Sequence, residues 1–165
     1  MENPSSPRET VSQFEKLLAG MARAGVDFAV AGGVAIILNG FPRQTRDADI
    51  IVQPSEANIE RLLKYLAGWG EGWARELTLD DFRTLEEGSL RVMEEFDLDI
   101  FVKLRGRTLD DFRPRLRYLQ SDEVRIPILS PEDLIHCKET SWRDKDKLDV
   151  AAMQEILRRE REEKE

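Results

Sequence analysis

Two short runs constrain this chain more than anything else in it. Asp47-Ala48-Asp49-Ile50-Ile51-Val52 alternates and then runs apolar, and in Phe96-Asp97-Leu98-Asp99-Ile100-Phe101-Val102 aspartates alternate with large apolar residues. A period of two marks a strand with one buried face. Aspartate is disfavoured in strands, so two on one face need a reason. Carboxylates two apart on a strand point the same way, with Cα atoms ~6.5–7 Å apart. Such charges repel unless something positive lies between them. If the two runs pair side by side, three carboxylates converge. Three oxygen donors suit hard divalent cations, which take one or two carboxylates plus substrate phosphates. They can also hold two ions ~3.5–4 Å apart, the spacing that serves in-line attack at phosphorus. The competing readings are a solvated strand start for Asp47 and Asp49, and the exposed polar face of an edge strand for Asp97 and Asp99.

The flanking sequence orders the elements around these runs. Thr10–Ala24 carries Val11, Phe14, Leu17, Leu18 and Met21 at helical spacing, with Gly25 at a C-cap position. Val26–Ala31 is a short apolar strand, Gly32-Gly33 a turn, and Val34–Asn39 a short helix stopped by Gly40. Glycines between a strand and a helix let backbone N–H groups approach a phosphate closely; a plain tight turn is the competing reading. Ser55 caps a helix running to about Leu66. Gly68–Gly72 is a turn region and Arg75–Asp81 is ambiguous. Leu90–Leu104 holds one or two strands, and Thr108–Phe112 makes a helical turn. Val124–Leu129 is a strand that Pro127 assigns to a sheet edge. Ser130-Pro131-Glu132-Asp133 opens a helix to about Ser141, and a last helix spans about Lys145–Arg159. The expectation is one α+β domain over residues 1–165, a mixed sheet flanked by helices with a helical C-terminus. Residues 1–7 are expected to fray and 160–165 to form a solvated charged tail.

Composition excludes several classes. The longest apolar stretch, Phe28–Leu38, contains two glycines and is far shorter than the ~20 residues of a membrane-spanning helix. The N-terminus has neither the basic region nor the apolar core of a signal peptide. One cysteine, Cys137, excludes a disulfide framework and a cysteine zinc site, so a cytoplasmic protein is expected. The net charge of −8 disfavours indiscriminate nucleic-acid binding. Lys103–Arg117, however, holds six basic residues against Asp110 and Asp111; this strip of +4 leaves −12 for the remainder. It reads either as a solvated face or as a docking strip for an RNA end. His136, Trp69, Trp73 and Trp142 read as packing or surface residues.

Gly32-Gly33, a helix, then Arg43-x-Thr45-x-Asp47-x-Asp49 and a later strand aspartate together resemble the nucleotidyltransferase superfamily with the polymerase-β-like core. The thirteen residues between Gly33 and Asp47 are at the long end of that family's spacing. The Arg-x-Thr-x-Asp-x-Asp wording is closer to the abortive-infection-toxin-like (AbiEii type) branch and its bacterial relatives than to the minimal nucleotidyltransferases. Leu129-Ser-Pro-Glu-Asp-Leu134, Lys138 and Arg143-x-Lys145-Asp146-x-x-Asp149 fit the same branch, and the resemblance spans roughly residues 25–155.

The resemblance implies roles. Gly32 and Gly33 would face the nucleotide phosphates. Asp47 and Asp49 would hold metal, Mg²⁺ or in its place Mn²⁺. Asp99 would be the third carboxylate, activating the acceptor hydroxyl, with Asp97 as fallback. Lys138 would reach the triphosphate, and Arg43 and Thr45 would order their loop or touch the nucleotide. Arg143, Lys145, Asp146 and Asp149 read as an ion network at a helix start. The implied activity is Mg²⁺-dependent transfer of a nucleoside monophosphate from an NTP, ATP or CTP, to an acceptor hydroxyl. The acceptor would be an RNA 3′ end such as a tRNA, a protein, or a small molecule, with a homodimer or an antitoxin as partner and no membrane involved. Two alternatives stay open: a non-catalytic nucleotide- or partner-binding module of the same fold, and metal-dependent phosphoester hydrolysis.

Overall fold

The computed structural model describes residues 7–164. Six strands form one mixed sheet: β1 (Phe28–Ala31), β2 (Asp47–Val52), β3 (Ser89–Met93), β4 (Asp97–Phe101), β5 (Arg117–Ser121) and β6 (Val124–Ile128). Their order across the sheet is β3-β4-β2-β1-β6-β5. The helices are α1 (Pro7–Arg23), α2 (Gly32–Leu38), α3 (Glu56–Leu66), α4 (Leu79–Arg83), α5 (Leu109–Phe112), α6 (Pro131–Lys138) and α7 (Asp144–Glu163). This is the α+β architecture expected, a mixed sheet flanked by helices and closed by a helical C-terminus.

The two aspartate runs become neighbouring central strands. β2 and β4 are parallel, with Asp47 opposite Asp97 and Asp49 opposite Asp99. On the other face Ala48, Ile50, Leu98 and Ile100 are buried. There Phe96 meets Phe14 of α1 edge to face, with ring centroids 4.5 Å apart. α2 packs on β2, α1 packs on β6 and α2, and α6 lies between α2 and α7. Phe14, Leu18, Met21, Phe28, Ile36, Ile50 and Leu98 are fully buried. Removing that apolar area from water is the main source of stability.

Several boundaries follow local chemistry. α1 ends in a Schellman pattern, with Gly25 N donating to Ala22 O and Val26 N to Met21 O. The Ser55 hydroxyl accepts from Asn58 N at the start of α3. Ser130 caps α6 by accepting from Asp133 N.

Other expectations are corrected. Gly32-Gly33 is not a separate turn; β1 runs straight into α2, and Gly32 makes the change of direction at φ +60°. β6 is not an edge strand, since it pairs with both β5 and β1. Pro127 is tolerated because β1 reaches β6 only at Ile128 and Leu129, leaving most of that flank without a ladder. The edge on that side is β5, which opens on Arg117, the last residue of the basic strip. Arg75–Asp81 resolves into a 3₁₀ turn at Trp73–Glu76 and α4, which Thr78 and Asp81 cap reciprocally. α6 stops at Lys138, short of Ser141, and α7 runs on to Glu163 through most of the expected tail. The N-terminal end expected to fray lies, apart from Pro7, outside the described residues.

Asn58 fastens the two strands that deliver the site. Its side-chain amide donates to Asp27 O (2.9 Å) and Gln53 O (2.7 Å), and its Oδ1 accepts from Asp27 N (2.7 Å). It thereby joins the segment entering β1 to the segment leaving β2. Asn58→Ala strands these backbone groups, and we expect it to lower the unfolding free energy by about 2–3 kcal/mol. Urea denaturation with an unchanged slope is the measurement; a loss under about 0.5 kcal/mol would show that the clamp carries little.

Candidate functional site

Strand register gathers Asp47, Asp49, Asp97 and Asp99 on one face of β2 and β4. Asp99 is nearly buried, whereas Asp47 and Asp97 are partly exposed. A residue that the sequence reading did not single out stands among them. Arg91 of β3 donates from Nε to Asp99 Oδ1 (2.8 Å) and from Nη2 to Asp99 Oδ2 (2.9 Å). The same guanidinium lies 3.4 Å from Asp97 and 3.7 Å from Asp47. It therefore neutralises carboxylates from both central strands. A sequence signal for it existed. A hairpin turning at Glu94-Glu95 pairs Arg91 with Asp99, and opposite charges facing across strands are mutually stabilising.

Asp49 is treated differently. Arg91 does not reach it, and its carboxyl is pushed up to about 6. Burial is the first cause; the charges of Asp99 and Asp47 add to it, and Lys138 opposes it. Gly32 presses on the same carboxylate. A Cβ there would lie 1.8 Å from Asp49 Oδ2, so only glycine fits, quite apart from the positive φ.

Asp49 and Gly32 share a cavity of about 190 Å³ with Lys138, Arg143 and Asp146. Lys138 is fixed from behind, donating to Asp149 Oδ2 (2.5 Å) and Asp146 Oδ1 (3.3 Å). Asp146 also accepts from Ser141 Oγ (2.8 Å) and Arg143 Nε (3.0 Å). Arg43 turns inward, its Nε 3.2 Å from Asp149 Oδ1 as an ion pair without hydrogen-bond alignment. Gly33 admits this loop; a Cβ there would lie 2.7 Å from Arg43 Nη2 and 2.9 Å from Thr45 Oγ1. Thr45 Oγ1 donates to Asp47 O (3.1 Å) and so shapes the entry to β2. The structure thus brings Gly32, Asp49 and Lys138 to one cavity. It places Asp47, Asp97 and Asp99 beside that cavity on the sheet, and Gly33, Arg43 and Thr45 in the supporting loop. A larger cavity of about 460 Å³, between Lys16, Tyr65, Trp69 and Phe96, contains none of these aspartates.

The donor set is all oxygen and suits a hard divalent cation better than a thiophilic one. With the side chains in Arg91's grip, no three carboxylates converge on one point among the described residues. The chemistry of the set fits Mg²⁺, and a positive group already sits among its members.

The basic strip is largely paired within the molecule. Arg107 and Arg115 flank buried Asp133. Arg113 pairs with Asp27 and Asp110, and Arg117 with Glu160. Among the described residues only Lys103 and Arg105 of the strip lack an ion pair. A phosphate backbone docking there would have to displace carboxylates already in place.

Residues 10–159 match the family described as "Nucleotidyltransferase of unknown function (DUF6036)". The chain belongs to that family. The match establishes nucleotidyltransferase kinship at this level, without singling out the abortive-infection-toxin-like branch. No curated protein matches the chain. Solved structures share the fold, three of them as follows. An antigenic nucleotidyltransferase-like protein from Paracoccidioides brasiliensis superposes with TM-score 0.54 at 19% identity, over 92% of this chain and 78% of that one. The lincosamide antibiotic adenylyltransferase LnuA, crystallised with lincomycin, gives 0.59 at 15% identity, over 88% and 96%. A putative nucleotidyltransferase from Thermotoga maritima gives 0.52 at 17%, over 92% and 94%. No helix among the described residues is long and apolar enough to cross a membrane.

The raised carboxyl of Asp49 predicts a pH dependence. The native carboxyl keeps its proton to a higher pH than an unfolded aspartate, whose reference value is 3.8. Its contribution is therefore fully present below about pH 4 and is lost as the pH rises through about 6. The loss amounts to at most about 3 kcal/mol. Asp49→Asn should flatten that decline and leave the variant more stable than the parent at pH 7.5 in excess EDTA. Urea unfolding of both proteins at pH 5 and pH 7.5 tests this; a variant less stable at pH 7.5 would contradict it.

Proposed function

We propose that this DUF6036 member transfers a nucleoside monophosphate from an NTP, ATP or CTP, to an acceptor hydroxyl and releases pyrophosphate. The observation that carries the reading is Asp49 facing Asp99 in register, with Gly32 against Asp49 in a cavity that reaches Lys138. The acceptor oxygen forms a bond to the α-phosphorus and the bond to the pyrophosphate oxygen breaks. Little of this needs covalent help from the protein, so catalysis is positioning and charge neutralisation.

We assign Asp47 and Asp49 to hold Mg²⁺, and Asp99, ahead of Asp97, to take the proton of the acceptor hydroxyl. Asp99 is favoured because it is the register partner of Asp49 and its charge acts on Asp49 directly. What a bound Mg²⁺ supplies there is neutralisation of phosphate charge and a lowered pKa on the attacking hydroxyl. Lys138 meets the triphosphate as a point charge, its ammonium aimed by Asp146 and Asp149. Gly32 leaves the cavity wall free of side chain. Arg43, Thr45 and Gly33 position the loop that sets the start of β2. An NTP-consuming reaction belongs in the cytoplasm. The acceptor class, whether RNA 3′ end, protein or small molecule, is what the labelling experiment below reads out.

A second reading is a binding module of the same fold without turnover. The grip of Arg91 favours it, since a guanidinium bonded to both oxygens of Asp99 occupies the carboxylate that transfer would need as a base.

Incubation with each α-labelled NTP, Mg²⁺ and fractionated cell extract separates the two. We expect label to pass to one fraction, and Asp49→Ala to reduce transfer by at least about 10²–10³-fold, the scale of losing a principal charge-stabilising group. Circular dichroism should show the variant folded. Transfer surviving in that variant would remove the assignment; Mg²⁺-dependent NTP binding without transfer would establish the binding module.

A further inference from the structure

We propose that Arg91 is a resident counter-cation of the carboxylate site, displaced when a divalent metal binds, so that metal loading is a competition with the protein's own guanidinium. The inference rests on the nucleotidyltransferase reading above and concerns how its site is regulated by charge.

Three observations carry it. Arg91 grips Asp99 through two nitrogens and also reaches Asp97 and Asp47, so one side chain spans the carboxylates of both central strands. The backbone ladder holds the four aspartates as neighbours on one face, where like charges repel; in the absence of metal this guanidinium relieves that repulsion. The other carboxylate of the set, Asp49, lies outside Arg91's reach and faces Lys138 across the cavity instead.

The second observation is where Arg91 sits. It belongs to β3, the outermost strand on that side, and its side chain is 49% exposed. It can therefore leave without opening the core.

The third is a place to go. Arg91 also lines a cavity of about 390 Å³ whose other walls are Trp73, Glu76, Leu77, Val92 and Met93. Glu76 offers a replacement carboxylate. Trp73, more than half exposed, offers an aromatic face suited to a guanidinium. A guanidinium bound at the acid face and one turned toward Glu76 are two rotamers of a long side chain, with the backbone unchanged.

The test is Mn²⁺ binding to the whole protein without nucleotide, followed by the loss of the free-ion electron paramagnetic resonance signal. Arg91→Gln should bind Mn²⁺ at least about tenfold more tightly than the parent, the lower end of what one charge within ~4–6 Å does to a carboxylate. Arg91→Lys, which keeps the charge but loses the two-nitrogen grip, should fall between them, and it serves as the test if the glutamine variant does not fold. Glu76→Gln should weaken Mn²⁺ binding in the parent background and leave it unchanged in the Arg91→Gln background. Mn²⁺ binding by the variant alone would support the competition. Equal or weaker binding by Arg91→Gln than by the parent overturns it while leaving nucleotidyl transfer standing. Failure of every form to bind Mn²⁺ without nucleotide overturns the competition and leaves nucleotidyl transfer to the labelling experiment.

Discussion

The structure turns on the mutual repulsion of aspartates that hydrogen-bonded strands hold side by side. β2 and β4 are parallel neighbours in register, so each aspartate of one faces an aspartate of the other. Their backbone spacing is set by the ladder. The molecule answers with two cations from opposite directions. Arg91 reaches in from β3, and Lys138 approaches from α6 across the cavity. Between them lies Asp49, whose carboxyl is pushed up by burial and by its acidic neighbours. A face built this way is poor for stability and suited to receiving positive charge.

Behind the cavity a second charged cluster does the opposite job. Asp149 is almost completely buried and holds both Arg43 and Lys138. Asp146 gathers Lys138, Ser141 and Arg143. These contacts join the loop before β2, the end of α6 and the start of α7. Buried charges of this kind need complete pairing, and the pairing here fixes the ammonium of Lys138 at one wall of the cavity. The glycine pair serves the same assembly: Gly32 lets the chain pass Asp49, and Gly33 lets Arg43 and Thr45 pack close.

Much of this could be read from sequence where the signal was local. The alternation in Asp47–Val52 gave both ends of β2, and Ser55 and Ser130 fixed helix starts because a capping hydroxyl acts within three residues. The meeting of the two aspartate runs followed from the improbability of carboxylates in a strand. Arg91 escaped notice because its importance appears only once β3 is folded back on β4. β5 escaped for a related reason: in Arg117-Tyr-Leu-Gln-Ser121 the alternation is weak, and the arginine drew attention to charge. Pro127 suggested an edge because the rule concerns a missing donor, and only the topology shows how little of β6 faces β1. The direction of Arg43, inward to Asp149, depends on α7 packing over the loop from more than a hundred residues away.

Arg91 comes from the periphery of the sheet, and this has a consequence for how such a scaffold diversifies. Core positions beneath the aspartates are locked by packing, so changing them alters folding before it alters chemistry. The balancing cation is on the margin, half in solvent, where exchange for a neutral or shorter residue unbalances the acidic face and leaves the apolar packing beneath it in place. A single marginal side chain therefore sets whether the acidic face is ion-hungry or self-satisfied, while the apolar contacts beneath it stay as they are.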